Sequence, residues 1–247
     1  YAVPRKTLID NLEEAVVEEK KIEEMDVVFL MDRFGYAKTV DVSVYERNKE
    51  AADTENRYIL TCKNTDKICI FTNKGQMHLL KVLDLPYGKF RDKGIPIDNL
   101  SNYNSSEENF IYIINLGAII HSRLLFGTKT AMLKMVDGSE FDVAKRTTAS
   151  TKLNEDDELL IVHAMTGEET VVMQSEKEMF LRIEASTIPE KKKGAVGVRG
   201  MKLNAGDALS NIYVLDGESE QTVEVKGKEV VLNRLRVGNR DTKGTKR

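Results

Sequence analysis

The sequence has no tryptophan, only four prolines, two cysteines and three histidines among its 247 residues. Cys62 and Cys69 lie seven apart in a strand-rich stretch and have no further ligands nearby, which excludes a zinc centre. They read as reduced thiols filling space, a use that suits the cytoplasm. His78, His121 and His163 are scattered and lack the spaced partners of a metal or nucleophilic site, so strand-packing or surface roles are expected. No apolar run approaches the roughly 18 residues of a membrane span. Tyr1 to Lys6 leads into no apolar stretch, so no signal peptide is expected, and a chain opening on Tyr1 instead of Met reads as a fragment or a processed chain.

What is present is β-forming material with unevenly distributed charge. The net charge is −3, which taken alone argues against a polyanionic partner. Residues 1–26, however, hold eight acids and four bases, leaving the remainder close to neutral, and the bases cluster. Lys191, Lys192, Lys193, Arg199 and Lys202 fall within twelve residues that contain no acid. A second basic run starts at Lys226 and includes Arg234, Arg236, Arg240, Lys243, Lys246 and Arg247. Clustered charge matters more than the total when the partner is a polyanion.

Residues 1–25 read as a lead-in whose Glu-rich run, 13–24, forms a solvated helix or edge strand. From Asp26 the chain turns to short runs rich in β-branched and aromatic residues, bounded by Asp, Asn, Lys or Gly. Residues 27–31 and 36–40 make a hairpin about Asp32-Arg33-Phe34-Gly35, and residues 67–72 and 76–82 make another about Asn73-Lys74-Gly75, with Gly where φ must be positive. Further hairpins are expected about Val136-Asp137-Gly138, Ser175-Glu176-Lys177-Glu178 and Lys226-Gly227-Lys228. The turns then fall near 34, 74, 137, 177 and 227, and runs 110–114 and 124–126 supply extra strands. Several hairpins are followed by a basic Gly loop (91–100, 192–203), then a polar turn and a strand (154–162, 204–215). A four-stranded unit recurring every 40 to 50 residues implies a propeller-type assembly, because each small sheet has two apolar faces and buries them only against neighbours. A β-sandwich would reproduce the turn spacing but not the whole recurring unit.

The run from Lys193-Gly194-Ala195-Val196-Gly197-Val198-Arg199 to Leu203-Asn204-Ala205-Gly206-Asp207 resembles the C-terminal domains of the gyrase A and topoisomerase IV A subunits. So do Phe71-Thr72-Asn73-Lys74-Gly75 and Arg91-Asp92-Lys93-Gly94-Ile95. Asp26 to Lys38 fits a first blade, Pro4-Arg5-Lys6-Thr7 is similar to the segment leaving the catalytic core, and residues 233–246 resemble the closing segment. The resemblance implies an all-β fold, a β-pinwheel (propeller-like) of about five four-stranded blades over residues 26–247. It implies double-stranded DNA as partner, with the ATPase B subunit and the rest of the A subunit, and no membrane. The fragment would carry no cofactor and no catalytic Tyr, since ATP and Mg act through other domains. One departure stands out. Where gyrase proper carries a Gln-Arg-Arg-Gly-Gly-Lys-Gly-type box, this chain has Tyr45 to Asp53, with three acids and no Gly pair, which favours a topoisomerase IV-like or divergent gyrase-like protein.

Basic loops on blade rims neutralise phosphates and release counterions without reading sequence, leaving DNA bendability to supply preference. The expected DNA-binding residues are Lys38, Lys81, Lys89, Arg91, Lys93, Lys191, Lys192, Lys193, Arg199, Lys202, Arg234, Arg236, Arg240 and Lys243. Gly75, Gly94, Gly194, Gly197, Gly200 and Gly227 read as turn formers, since no Gly-Lys-Ser/Thr ending marks a P-loop. Asp156-Asp157-Glu158 reads as a solvated turn, and Tyr112 and Tyr213 as core. A propeller scaffold for protein partners is the alternative, supported by the overall acidity. An enzyme in its own right has least support, as no nucleophile–base or metal constellation appears.

Overall fold

A computed structural model describes residues 21–247. The Pro4 to Thr7 segment and most of the lead-in lie outside the described residues. The first unit contributes β1 (Asp26–Met31), β2 (Tyr36–Asp41), helices α1 (Val42–Arg47) and α2 (Lys49–Glu55), and β3 (Tyr58–Lys63). The second contributes β4 (Lys67–Thr72), β5 (Gln76–Lys81), the short β6 (Tyr87–Gly88) and β7 (Ile95–Pro96), then β8 (Phe110–Asn115) and helix α3 (Leu116–Ile119). The third has β9 (Arg123–Thr128), β10 (Met132–Asp137), β11 (Thr147–Ala149) and β12 (Leu159–Met165). The fourth has β13 (Thr170–Ser175), β14 (Met179–Glu184), β15 (Val198–Arg199), β16 (Met201–Lys202) and β17 (Leu209–Leu215). The fifth has β18 (Thr222–Val225), β19 (Lys228–Val231), β20 (Thr242–Lys243) and β21 (Thr245–Lys246).

The units exchange strands. After its hairpin, each unit from the second onward sends a crossover segment back to the preceding sheet. Sheet one therefore runs β3-β1-β2 and is completed by β6 and β7. Sheet two runs β8-β4-β5-β11, sheet three β12-β9-β10-β15, and sheet four β17-β13-β14-β21. The fifth hairpin, β18-β19, stays two-stranded, so the five expected units are four four-stranded blades, the first with an extra short strand, and one hairpin. The last strand of each hairpin unit, β3, β8, β12 and β17, approaches its counterpart in the next sheet. These strands form the inner edge and the donated strands the opposite, outer edge.

Because strands alternate their side chains between faces, every blade presents two apolar faces, and all but one face of the first blade are buried against a neighbouring unit. Phe29, Met31, Ile68, Ile70 and Ile113 fill the space between sheets one and two. Phe71, Phe126 and Phe141 meet between sheets two and three, Phe71 lying edge-on to Phe141 at 5.1 Å between ring centroids. Leu133, Met173, Leu181 and Ile183 lie between three and four, and Val172, Phe180 and Leu232 join sheet four to the fifth hairpin. Both cysteines are buried in these layers, in different clusters, and burial pushes their thiols up to about 11 for Cys62 and about 12 for Cys69.

The remaining face, Val28, Leu30 and Val40 of sheet one, is covered by α1 and α2 through Val42, Val44, Tyr45 and Ala52. These helices occupy the stretch between hairpin and inner strand that in other units crosses to the previous sheet. With no earlier blade among the described residues, the segment folds back on its own sheet, and Asp41 caps α1 by accepting from the Ser43 amide.

One hairpin differs from expectation. The third turn lies at Lys129-Thr130-Ala131, joining β9 to β10, and not about Asp137. Ala131 takes the left-handed conformation there (φ +64°), as Gly35 and Gly75 do at their turns. Runs 124–126 and 132–137 are therefore partners, whereas 138–141 form a 3-10 turn. Gly138 misleads because its role is close packing: a Cβ there would collide with the Ile119 carbonyl oxygen.

Candidate nucleic-acid interface

The polar turns recur for a structural reason. The Asp157 carboxylate accepts from the Thr130 amide and hydroxyl, and the Asp207 carboxylate accepts from the Lys177 amide. In each case the turn that leads into an inner strand clasps the tip of its own hairpin. Glu158 spans two tips, meeting Lys129 at 2.7 Å and Lys74 at 3.2 Å, and these lysines hold its carboxyl below the usual range. Asp157, buried where a solvated turn was expected, and Glu158 are thus spent on hairpin geometry, while Asp156 faces solvent. His78 is buried on β5, its Nε2 2.7 Å from Glu108 and its Nδ1 2.9 Å from the Thr147 hydroxyl, a packing role as expected.

The crossover segments carry the positive charge. Segment 87–96 holds Lys89, Arg91 and Lys93; 189–202 holds Lys191, Lys192, Lys193, Arg199 and Lys202; 234–247 holds Arg234, Arg236, Arg240, Lys243, Lys246 and Arg247. Segment 142–149 holds Lys145 and Arg146, both exposed, which sequence reasoning does not select. Their signal is positional: a Lys-Arg pair directly before the strand donated to sheet two, as Lys93 precedes the one donated to sheet one. Together these four segments hold sixteen bases and four acids, whereas the rest of the chain holds twenty-one bases and thirty-six acids. The charge is segregated by topology: the outer, donated edge is basic and the remainder acidic.

The expected DNA-binding residues divide by what they touch. Lys89, Arg91, Lys93, Lys192, Lys202, Arg236 and Lys243 are exposed on these segments, and the Lys192 side chain is 87% exposed despite a 3.5 Å approach to Glu140. Arg199 meets Asp241 at 3.5 Å and Arg234 meets Glu220 at 3.3 Å, both exposed pairs worth ~1 kcal/mol or less and easily exchanged for another anion. Arg240 donates to the Arg199 carbonyl, and Lys193 to the Glu140 carbonyl, so both also shape the edge. Lys81 ends β5, opposite Lys67 and outside the donated segments. Lys38 is half-buried on β2, where its ammonium donates to the carbonyls of Phe90 and Asp92. A shallow cleft of about 540 Å³ beside it mixes Arg91 and Lys93 with Asp32, Glu55 and Asp92, which offset its charge.

Among the described residues no helix is long and apolar enough to cross a membrane. Residues 122–164 and 169–216, the third and fourth units, match the profile of the DNA gyrase C-terminal domain, beta-propeller. The chain is 28% identical over 265 residues to the DNA gyrase A protein of Lawsonia intracellularis, covering 99% of this chain and 32% of that protein. It is 29% identical over 251 residues to the DNA gyrase A protein of Staphylococcus epidermidis, covering 94% of this chain and 28% of that one. It thus spans about a third or less of these relatives. In structure it is similar to the C-terminal domain of DNA topoisomerase IV, with a TM-score of 0.80 at 22% identity over 91% of this chain and 73% of that one. It is also similar to the E. coli ParC C-terminal domain, with a TM-score of 0.73 at 15% identity over 90% of this chain and 94% of that one. The repeated unit and its strand exchange thus give the chain the fold of these C-terminal domains, and its third and fourth units are similar in sequence to the gyrase C-terminal β-propeller.

Proposed function

We propose that this domain binds duplex DNA without sequence preference along its basic outer edge, bends it, and guides the transported segment for an ATP-dependent type II topoisomerase. The observation that carries the reading is the segregation of sixteen bases against four acids on the four crossover segments. Each cation beside a phosphate releases condensed counterions, and contributions from successive blades add along a curved path. Contacts of this kind position a duplex and leave sequence unread. ATP hydrolysis, Mg and the catalytic Tyr belong to other parts of the enzyme, and the partners are the ATPase B subunit and the rest of the A subunit, in the cytoplasm at the nucleoid. The helical segment 42–55, packed on sheet one and lacking a Gly-rich basic box, supports a topoisomerase IV-like or divergent gyrase-like activity over wrapping of the gyrase kind. A titration of the domain against linear and circular duplexes across salt tests the reading. Affinity should fall steeply with salt and vary little with sequence. Undetectable binding at low salt would end it and leave the protein-scaffold alternative.

A further inference from the structure

Two of the crossover segments are built around a lysine. In the third blade the incoming chain lies parallel to β10 at Met135, bridging to Glu190, then leaves as a loop and returns antiparallel as β15 against Met132 and Leu133. The one strand residue inside that loop is Lys134. It is 1% exposed, and its ammonium donates to the carbonyls of Lys192 (3.1 Å), Lys193 (3.0 Å) and Ala195 (2.7 Å). Its three protons are thereby used, and no phosphate can reach it. In the first blade β6 runs parallel to β2 at Thr39 and Val40, and β7 returns antiparallel at Tyr36 and Ala37. The residue inside is Lys38, donating to Phe90 and Asp92.

Packing does not require the cation at this position: in the fourth blade the corresponding residue on β14 is Leu181, an apolar residue of the core, and Arg182 beside it donates to the Asn233 and Leu235 carbonyls of the incoming segment. A buried ammonium is costly to desolvate and is tolerated only when its hydrogen bonds are satisfied. Burial lowers the Lys134 ammonium to about 8, with Glu140 opposing and Lys191 adding to the shift, so the charge persists at neutral pH. The loops these lysines enter are the ones that carry adjacent cations: Lys191, Lys192 and Lys193 in one, Lys89, Arg91 and Lys93 in the other. Neighbouring like charges repel, and a loop without ladder partners has many conformations to lose on binding.

We propose that Lys134, and Lys38 in the first blade, are positioning residues for DNA binding, each tying the carbonyls of a basic loop from within so that the loop's outward cations meet phosphates already in place. The proposal rests on the DNA-binding reading above. Its test is a double-mutant cycle in the same 247-residue chain. Lys134→Met is made in the parent and in a Lys191→Ala, Lys192→Ala background, and duplex affinity is measured by gel shift at fixed salt. Thermal melts and amide exchange over residues 190–197 are followed in parallel. In the parent background Lys134→Met should weaken binding about five-fold or more, and in the Lys191→Ala, Lys192→Ala background less than about two-fold. Exchange should quicken in the loop while strands β9 and β10 stay protected. Lys38→Met, with Arg91→Ala and Lys93→Ala as its background, repeats the cycle if the first variant fails to fold. Equal losses in both backgrounds, or unchanged affinity and exchange, overturn the proposal. A parent that binds no duplex overturns the DNA-binding reading itself.

Discussion

Replacing Lys145 and Arg146 by alanine tests whether the donated edge is one continuous track. Both side chains are exposed, neither pairs with an acid among the described residues, and the Arg146 carbonyl that accepts from the Leu79 amide is backbone, which alanine preserves. The fold should therefore be unaffected. If each cation meets one phosphate, log affinity against log salt loses about 0.9 per contact, so the slope should shallow by about 1.8. Extrapolated from 1 M to 0.1 M salt, that is about a 60-fold loss of affinity at the lower concentration. The control removes the same charge elsewhere: Arg47→Ala with Lys49→Ala, exposed on the helices that cover sheet one. Fluorescence anisotropy with a labelled duplex at four salt concentrations gives both slopes. Equal losses from the two pairs would show that net charge alone matters, and an unchanged slope in the first would show that the second blade lies off the path. Either result refutes the reasoning.

Three further outcomes follow from the packing. Gly138→Ala should cost about 3 kcal/mol and lower the melting temperature by about 5 °C or more, because the new methyl meets the Ile119 backbone. Gly227→Ala, whose Cβ would meet nothing within 4 Å, should cost only the ~1 kcal/mol of its positive φ, and the reverse order would be decisive against this account. Between pH 8 and the usual lysine value of 10.5 the unfolded chain keeps a proton that folded Lys134 has released, so this residue's contribution to stability rises with pH. The difference in unfolding free energy between parent and Lys134→Met should shift by roughly 3 kcal/mol across that window, and a flat difference in denaturant titrations would count against it. Cys62 and Cys69 should resist a thiol reagent at pH 8 until the chain unfolds, and above about pH 9 their contribution to stability falls as the unfolded thiols ionise first. Fast native labelling would show that these layers open.

The recurring unit is legible because its signals are local. Positive-φ glycines at 35, 75 and 227 mark hairpin tips, and β-branched runs mark the strands beside them. The third tip escapes a sequence reading because Ala131 adopts a conformation that alanine rarely takes, while Gly138 offers a false signal from a close approach. Lys38 groups with the surface cations because sequence alone does not say whether a strand lysine points to solvent or into a loop from another unit. Lys145 and Arg146 lack the Gly-rich setting of the other loops, although they enter a donated strand in the same way, so nothing in the local pattern singles them out.

Residue order alone is enough to specify most strand-forming runs, four of the five hairpins, the alternation of basic and polar connections, and hence a repeated all-β fold. Those properties depend on residues within a few positions of one another. Three-dimensional packing was needed to show that each basic connection completes the preceding sheet, that four units grow to full blades and the fifth remains a hairpin, and that two helices cover the first. It also separated the cations facing solvent from the two lysines that hold loops in place. Which sheet a segment joins is settled by the apolar face and the unpaired strand edge waiting for it, and both belong to residues far away along the chain.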